Sequence, residues 1–168
     1  NDPQYLATIE AFAQWYRQQP RVVHVDVLTD ISKRLNSNMH GDDEAWYRLP
    51  EQRELAAQYL LLYEMSLPFG RDLNNQINVD KSATRMVVTL ADTTTREQRE
   101  IEARGREWLK NNAPEHMFTY GSGLTIIWAH ISERNINNML IASFGALIVI
   151  SLTLILALRS VKHGLISL

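Results

Sequence analysis

The chain has 168 residues, 45% of them apolar and 21% charged, which excludes a disordered tail and any collagen-like or low-complexity protein. It contains no cysteine, so disulfide frameworks, thiolate metal sites and cysteine nucleophiles are excluded together. The formal charge of −2 conceals a split: residues 1–138 carry 15 Lys+Arg against 19 Asp+Glu, whereas residues 139–168 carry two bases and no acid. No basic patch points to nucleic acid.

Asp2-Pro3 marks a helix start, an N-cap carboxylate followed by proline at the first helical position. Tyr5, Ile9, Phe12, Ala13 and Tyr16 then form one apolar stripe, and Pro20 predicts an end near Gln19. In Val22-Val23-His24-Val25-Asp26-Val27 the valines at 23, 25 and 27 alternate with polar residues, the pattern of a half-buried strand. Residues 30–48 are polar and read as a short helix followed by a loop around Met39-His40-Gly41-Asp42-Asp43. A second long helix is expected from Pro50 to Met65, with Leu55, Tyr59, Leu62 and Tyr63 on one side and Pro68 ending it. Its run Tyr59-Leu60-Leu61-Leu62-Tyr63 makes it apolar on more than one face.

Thr84 to Ala91 alternates as a strand, with Met86, Val88 and Leu90 on one face. Thr94-x-x-Glu97 is a capping box. The helix that it opens carries Ile101, Gly105, Trp108 and Leu109 on one face, and Gly105 would let it approach a sheet closely. Pro114 lies past its end. His116 to Tyr120 is expected as a short final strand, closed by Gly121-Ser122-Gly123. The order helix, strand, helical insertion, strand, helix, strand is a split βαβ pattern lacking its first strand.

The last apolar run, Met139 to Leu158, is 20 residues without a charge. At about 1.5 Å per residue it matches the roughly 30 Å of a bilayer core. A buried core helix is the alternative, but a chain of this size offers little to enclose one at its end. Arg159, Lys162 and His163 follow at once, which places the C-terminus in the cytoplasm and residues 1–138 outside. Ahead of the run, Leu124 to Asn138 contains no glycine or proline. Ile127, Ile131, Arg134 and Asn138 share one face there, so a continuous helix could leave the membrane and transmit movement as a rigid connection. A simple stalk is the alternative.

Candidate chemistry is sparse. His24 and Asp26 lie two apart on one strand face, and His40 accompanies Asp42 and Asp43 in a loop; brought together, they could hold a divalent metal. A wet strand face and a solvated acidic loop explain them better, because HExxH, EF-hand spacing and cysteine are all missing. No metal and no other cofactor is expected. Gly121-Ser122-Gly123 is neither a phosphate loop nor a nucleophile elbow, so Ser122 has little claim to nucleophilicity. Glu97, Glu100, Glu102 and Glu107 interleaved with Arg96, Arg99, Arg104 and Arg106 read as a solvated helix face. The membrane run holds Ser143, Ser151 and Thr153 but no ionisable residue, and hence no proton carrier. Ala142, Ser143, Gly145 and Ala146 would permit close helix contact. No catalytic residue emerges, and no residue stands out as lining a substrate path.

The segment Asn74-Asn75-Gln76-Ile77-Asn78-Val79-Asp80-Lys81-Ser82-Ala83-Thr84-Arg85 and the segment His130-Ile131-Ser132-Glu133-Arg134-Asn135-Ile136 resemble the resistance-nodulation-cell division (RND) superfamily of bacterial exporters, close to its MMPL-type branch. Leu154-Ile155-Leu156-Ala157-Leu158-Arg159-Ser160, followed by Gly164-Leu165-Ile166-Ser167-Leu168, looks like the end of that family's second transmembrane helix and its short cytoplasmic turn. The resemblance covers most of the chain through scaffold patterns rather than a catalytic fingerprint. It implies a larger protein with about twelve membrane helices in two similar halves, each with a periplasmic porter domain between its first two helices.

On that resemblance the expected fold is α+β. Residues 1–123 would form a ferredoxin-like split βαβ porter-type domain with a helical insertion at about 42–75 and a first strand upstream of Asn1. Residues 124–168 would hold the membrane-proximal helix, the transmembrane helix (139–158) and a short cytoplasmic end. The implied function is a segment of a proton-driven exporter of hydrophobic or amphiphilic compounds in the bacterial inner membrane, not an enzyme. The implied partners are the lipid bilayer, the remaining transmembrane helices, a lipid-like substrate and further copies of the chain. The alternative from another class is a single-pass extracytoplasmic sensor or interaction domain. The family's proton-relay acids lie in other membrane helices, and no residue here matches them.

Overall fold

A computed structural model describes residues 2–68 and 73–158. The chain forms two units, residues 1–121 and residues 122–168.

The first unit is a helix-rich α+β body. Helix α1 (Pro3–Arg17) starts where Asp2 accepts backbone N–H bonds from Gln4 and Tyr5 at 2.8 and 3.2 Å. Its buried stripe is Leu6, Ile9, Ala13 and Tyr16. Strand β1 (Val22–Asp26) pairs antiparallel with β2 (Val87–Leu90), with Val25 opposite Val88 and Asp26 opposite Val87. The register shifts between Val22 and His24. That bulge overturns the expected alternation: two residues oppose one, so Val22 packs against the core while Val23 is 68% exposed.

Helix α2 (Leu28–Met39) follows β1 after Val27 alone and is longer than its polar sequence suggests. It ends at Gly41, whose φ of +73° suits the left-handed cap, with the Asp42 N–H donating to the Ser37 carbonyl at 3.0 Å. A 3₁₀ turn (Glu44–Trp46) is tied back by the Asn36 amide, which donates to the Trp46 and Arg48 carbonyls at 3.1 and 2.9 Å. Helix α3 (Arg53–Ser66) begins three residues later than Pro50 predicts. Its buried residues are Ala56 and Leu60, with Leu67 and, from the expected side, Tyr63 half-buried against the same core; of the other expected residues Leu55 and Tyr59 are half-buried. Leu62 is exposed. In an unbroken apolar run the local pattern cannot choose a face, and packing against α2 makes the choice.

Two cores result. Leu6, Leu28, Ala56, Leu60, Leu73 and Ile77 join α1, α2 and α3 to a 3₁₀ turn at Leu73–Asn75. Ile9, Ala13, Tyr16, Val25, Val27 and Ile101 join α1 and α4 (Thr95–Asn112) to the sheet, with Val88 and Leu90 packed against them. The capping box at Thr94 and Glu97 is present as expected. Gly105 does not approach a sheet: a methyl group there would collide with the Tyr16 phenol of α1, so the glycine allows a helix to seat on a buried aromatic ring.

The expected strand at 116–120 does not form. A 3₁₀ turn (Glu115–Met117) is followed by extended backbone that, among the described residues, meets no partner strand. Extension alone makes no ladder. Met117 nevertheless packs against the sheet core. Gly121 keeps an ordinary φ; its role is close packing, because a Cβ there would come within 2.7 Å of Glu102 Cγ.

The second unit is one helix, α5 (Leu124–Leu158), continuous over 35 residues. Arg159, Lys162, His163 and the expected cytoplasmic turn lie outside the described residues.

Candidate functional site

Two features stand out: a charged cluster beside a cleft in the first unit, and the exposed apolar length of α5. Glu10 of α1 lies one turn from Ala13 and two from Arg17, on the edge of the buried stripe. Its Oε1 accepts from Lys33 Nζ at 2.7 Å and Gln14 Nε2 at 2.8 Å, and its Oε2 accepts from the Thr29 hydroxyl at 2.5 Å. Asp30, on the same turn of α2 as Lys33, pairs with Lys33 at 3.0 Å and with Arg17 at 2.5 Å. Arg17 also donates to the Val25 carbonyl at 3.3 Å. Two anions thus balance two cations where α1, β1 and α2 meet.

The surroundings move both central groups away from neutrality. Burial works to raise the Glu10 pKa, but the hydrogen bonds from Lys33, Thr29 and Gln14 outweigh it, so the carboxyl stays below its usual range. Burial likewise works to lower Lys33, and Glu10 and Asp30 overcome it, leaving the ammonium above its usual range. Neither group is poised to exchange protons near neutral pH, so the cluster holds charge instead of relaying it. Sequence reasoning missed it. The available signal was Glu10 beside an apolar stripe and Lys33 on the buried face of α2.

Beside the cluster opens a cleft of about 900 Å³. His24, Asp26, Asp30, Lys33 and Arg34 line it together with Leu35, Met39, Leu62 and Tyr63. It is polar and apolar at once.

The sequence candidates for metal binding separate. His24 and Asp26 face this cleft. His40 stacks on Trp46 at 3.7 Å, and its Nδ1 lies 2.7 Å from the Asn36 carbonyl. Asp43 caps the 3₁₀ turn through the Ala45 N–H at 2.9 Å. Among the described residues no group of three His, Asp or Glu side chains has metal-holding geometry. On α4, Arg96 and Glu100 form an exposed pair at 2.8 Å, whereas the Glu102 side chain is 11% exposed and accepts the Gly121 N–H at 3.2 Å, so the expected solvated face holds only in part.

Helix α5 is long and apolar enough to cross a membrane. Only 6% of its most apolar window is buried, whereas a core helix would be mostly enclosed. From Met139 to Leu158 it is apolar all round. Ahead of that run Leu124, Ile127, Trp128 and Ile131 expose an apolar stripe, and polar residues at 132–135 separate the two. No family model, curated protein or solved structure matches this chain.

Proposed function

We propose that this chain is the extracytoplasmic porter-type domain and second transmembrane helix of an RND-type, MMPL-like exporter driven by the proton gradient. The observation that carries this reading is the unbroken α5, in which a 20-residue apolar run continues from a further 15 helical residues. Those 15 residues extend about 22 Å beyond the bilayer core, far enough to couple a membrane event to an external domain. The cleft, with charged and apolar groups on one wall system, suits part of a path for an amphiphile. The antiparallel β1–β2 pair packed against α1 and α4 supports a ferredoxin-like reading of this unit, in which a first strand would precede Asn1 and residues 116–120 would stand in the place of the last. The bases after Leu158 support an external first unit and a cytoplasmic C-terminus in the bacterial inner membrane. No catalytic role is assigned to this segment.

The test uses the full-length transporter. Ile136→Pro removes a helix donor and kinks α5, at a cost of ~3 kcal/mol to the helix. Normal abundance with lost export is expected, while the exposed change Asn137→Gln is tolerated. Undiminished export by Ile136→Pro refutes the rigid connection, and export indifferent to a protonophore refutes the proton-driven reading. Cysteines placed at His24 and Tyr120, but not at Lys162, should react with an impermeant thiol reagent in spheroplasts.

A further inference from the structure

The cleft of the first unit is lined by charges of two kinds. Arg17, Lys33 and Asp30 already neutralise one another, together with Glu10. A ligand gains little from groups that would first have to leave a partner. Arg34 and Asp26 differ. Both are exposed and both line the cleft, yet among the described residues neither makes an ion pair. The Arg34 side chain makes no hydrogen bond there either, and Asp26 accepts from the Gln76 amide at 3.3 Å. Asp26 closes β1 two residues before α2 begins, and Arg34 lies in the second turn of that helix. Side chains on a helix tilt toward its N-terminus, so the guanidinium is drawn toward the end that Asp26 adjoins. Met39 and Leu62, 45% and 48% exposed, border the same cleft and offer it an apolar surface.

We propose that this cleft is a binding site for a single-chain amphiphile with a zwitterionic head, an ammonium beside an oxyanion. Arg34 takes the oxyanion, phosphate or carboxylate, through its planar fork of N–H donors. Asp26 takes the ammonium, and the alkyl chain lies on Met39 and Leu62. The volume of about 900 Å³ falls within the roughly 300–1,000 Å³ of pockets that hold one small ligand. A purely anionic head would bring its charge to Asp26 and a purely cationic head to Arg34, and each like-charge approach costs binding. A neutral head would cover both charges without pairing either. His24 lines the cleft beside Asp26 and adds a further hydrogen-bonding ring. This inference rests on the reading of the cleft as part of an amphiphile path, and it narrows that path to one head chemistry.

Photo-crosslinking of the 168-residue chain in non-ionic detergent micelles tests it. The probes carry a diazirine in a single alkyl chain and differ in their heads. A lysophosphatidylethanolamine and a 2-amino fatty acid are zwitterionic with different oxyanions, an alkyl sulfate is anionic, and an alkyltrimethylammonium is cationic. Labelled peptides are read by mass spectrometry. A zwitterionic probe should label the segments around Met39 and Leu62 about tenfold more than either singly charged probe, and the stronger of the two zwitterions identifies the oxyanion. Asp26→Asn, which keeps an acceptor for Gln76, should shift the preference to the alkyl sulfate. Arg34→Gln should shift it to the alkylammonium. Variants that lower labelling by all probes together, with no change of preference, overturn the proposal, because a merely structural role does the same. Equal labelling by every head, or labelling confined to α5, overturns it too. Transport is not read, so failure here leaves the exporter reading standing, and a chain that exports nothing can still show the switch in preference.

Discussion

Glu10 shows how a single residue can matter more than its sequence context suggests. Its side chain is 18% exposed and that of Lys33 11%, so removing one partner strands a poorly hydrated charge. Glu10→Gln should lower the unfolding free energy by about 2 kcal/mol at neutral pH, measured by urea titration of tryptophan fluorescence. The sign with pH follows from the shifts. Glu10 is held below its ordinary value of 4.5, so its contribution is full above that value and is lost as pH falls through the folded pKa. Lys33 is raised above 10.5, so its contribution is full below that value and is lost as pH rises through the folded pKa. The gap between Glu10→Gln and the parent chain should therefore close in acid. Gly105 is the second such residue. Alanine there gains about 1 kcal/mol of helix propensity, but overpacking against Tyr16 costs about 1–3 kcal/mol. Tyr16 is 8% exposed and cannot swing away, so the clash wins. A lowered Tm for Gly105→Ala, partly restored by adding Tyr16→Phe, is the expected result.

Elements with local start and stop chemistry were readable before any packing was known. Asp2-Pro3 and the Thr94–Glu97 box satisfy N–H groups within one turn, so neighbours in sequence suffice to place α1 and α4. Thr94→Ala should cost about 1 kcal/mol, seen as a lower midpoint in thermal unfolding with α4 still helical. Elements that depend on distant partners were not readable in the same way. Strand alternation predicted Val23 inside, and the bulge turned it out. The run from Tyr59 to Tyr63 permits several faces, and Leu60 became the buried one because Leu28 and Ala56 lie there. The segment 116–120 has strand-like residues but no ladder beside it among the described residues.

For the whole molecule the decisive quantity is the free energy of placing α5 in a bilayer. Two central arginines, Leu147→Arg with Ile150→Arg, add about 5–7 kcal/mol to insertion. The doubly substituted chain should be released from membranes at alkaline pH, whereas the parent stays in the pellet. Trp128→Arg should remain membrane-bound, because residue 128 belongs to the apolar stripe ahead of the polar break at 132–135. Release of the Trp128 variant and retention of the double variant would move the span toward Leu124.

What the sequence determined by itself was whatever needs only adjacent residues. This includes the capped helices, the 20-residue charge-free run and the absence of glycine or proline between Leu124 and Asn138. Helix geometry repeats every few residues, so those features follow from nearest neighbours and the solvent they require. Tertiary structure alone decided the Glu10–Lys33–Asp30–Arg17 cluster, the seating of Gly105 on Tyr16 and the bulged register between β1 and β2. Each depends on groups that are remote in sequence or on different elements. Their energies arise from desolvation and close contact, which exist only after the helices have packed.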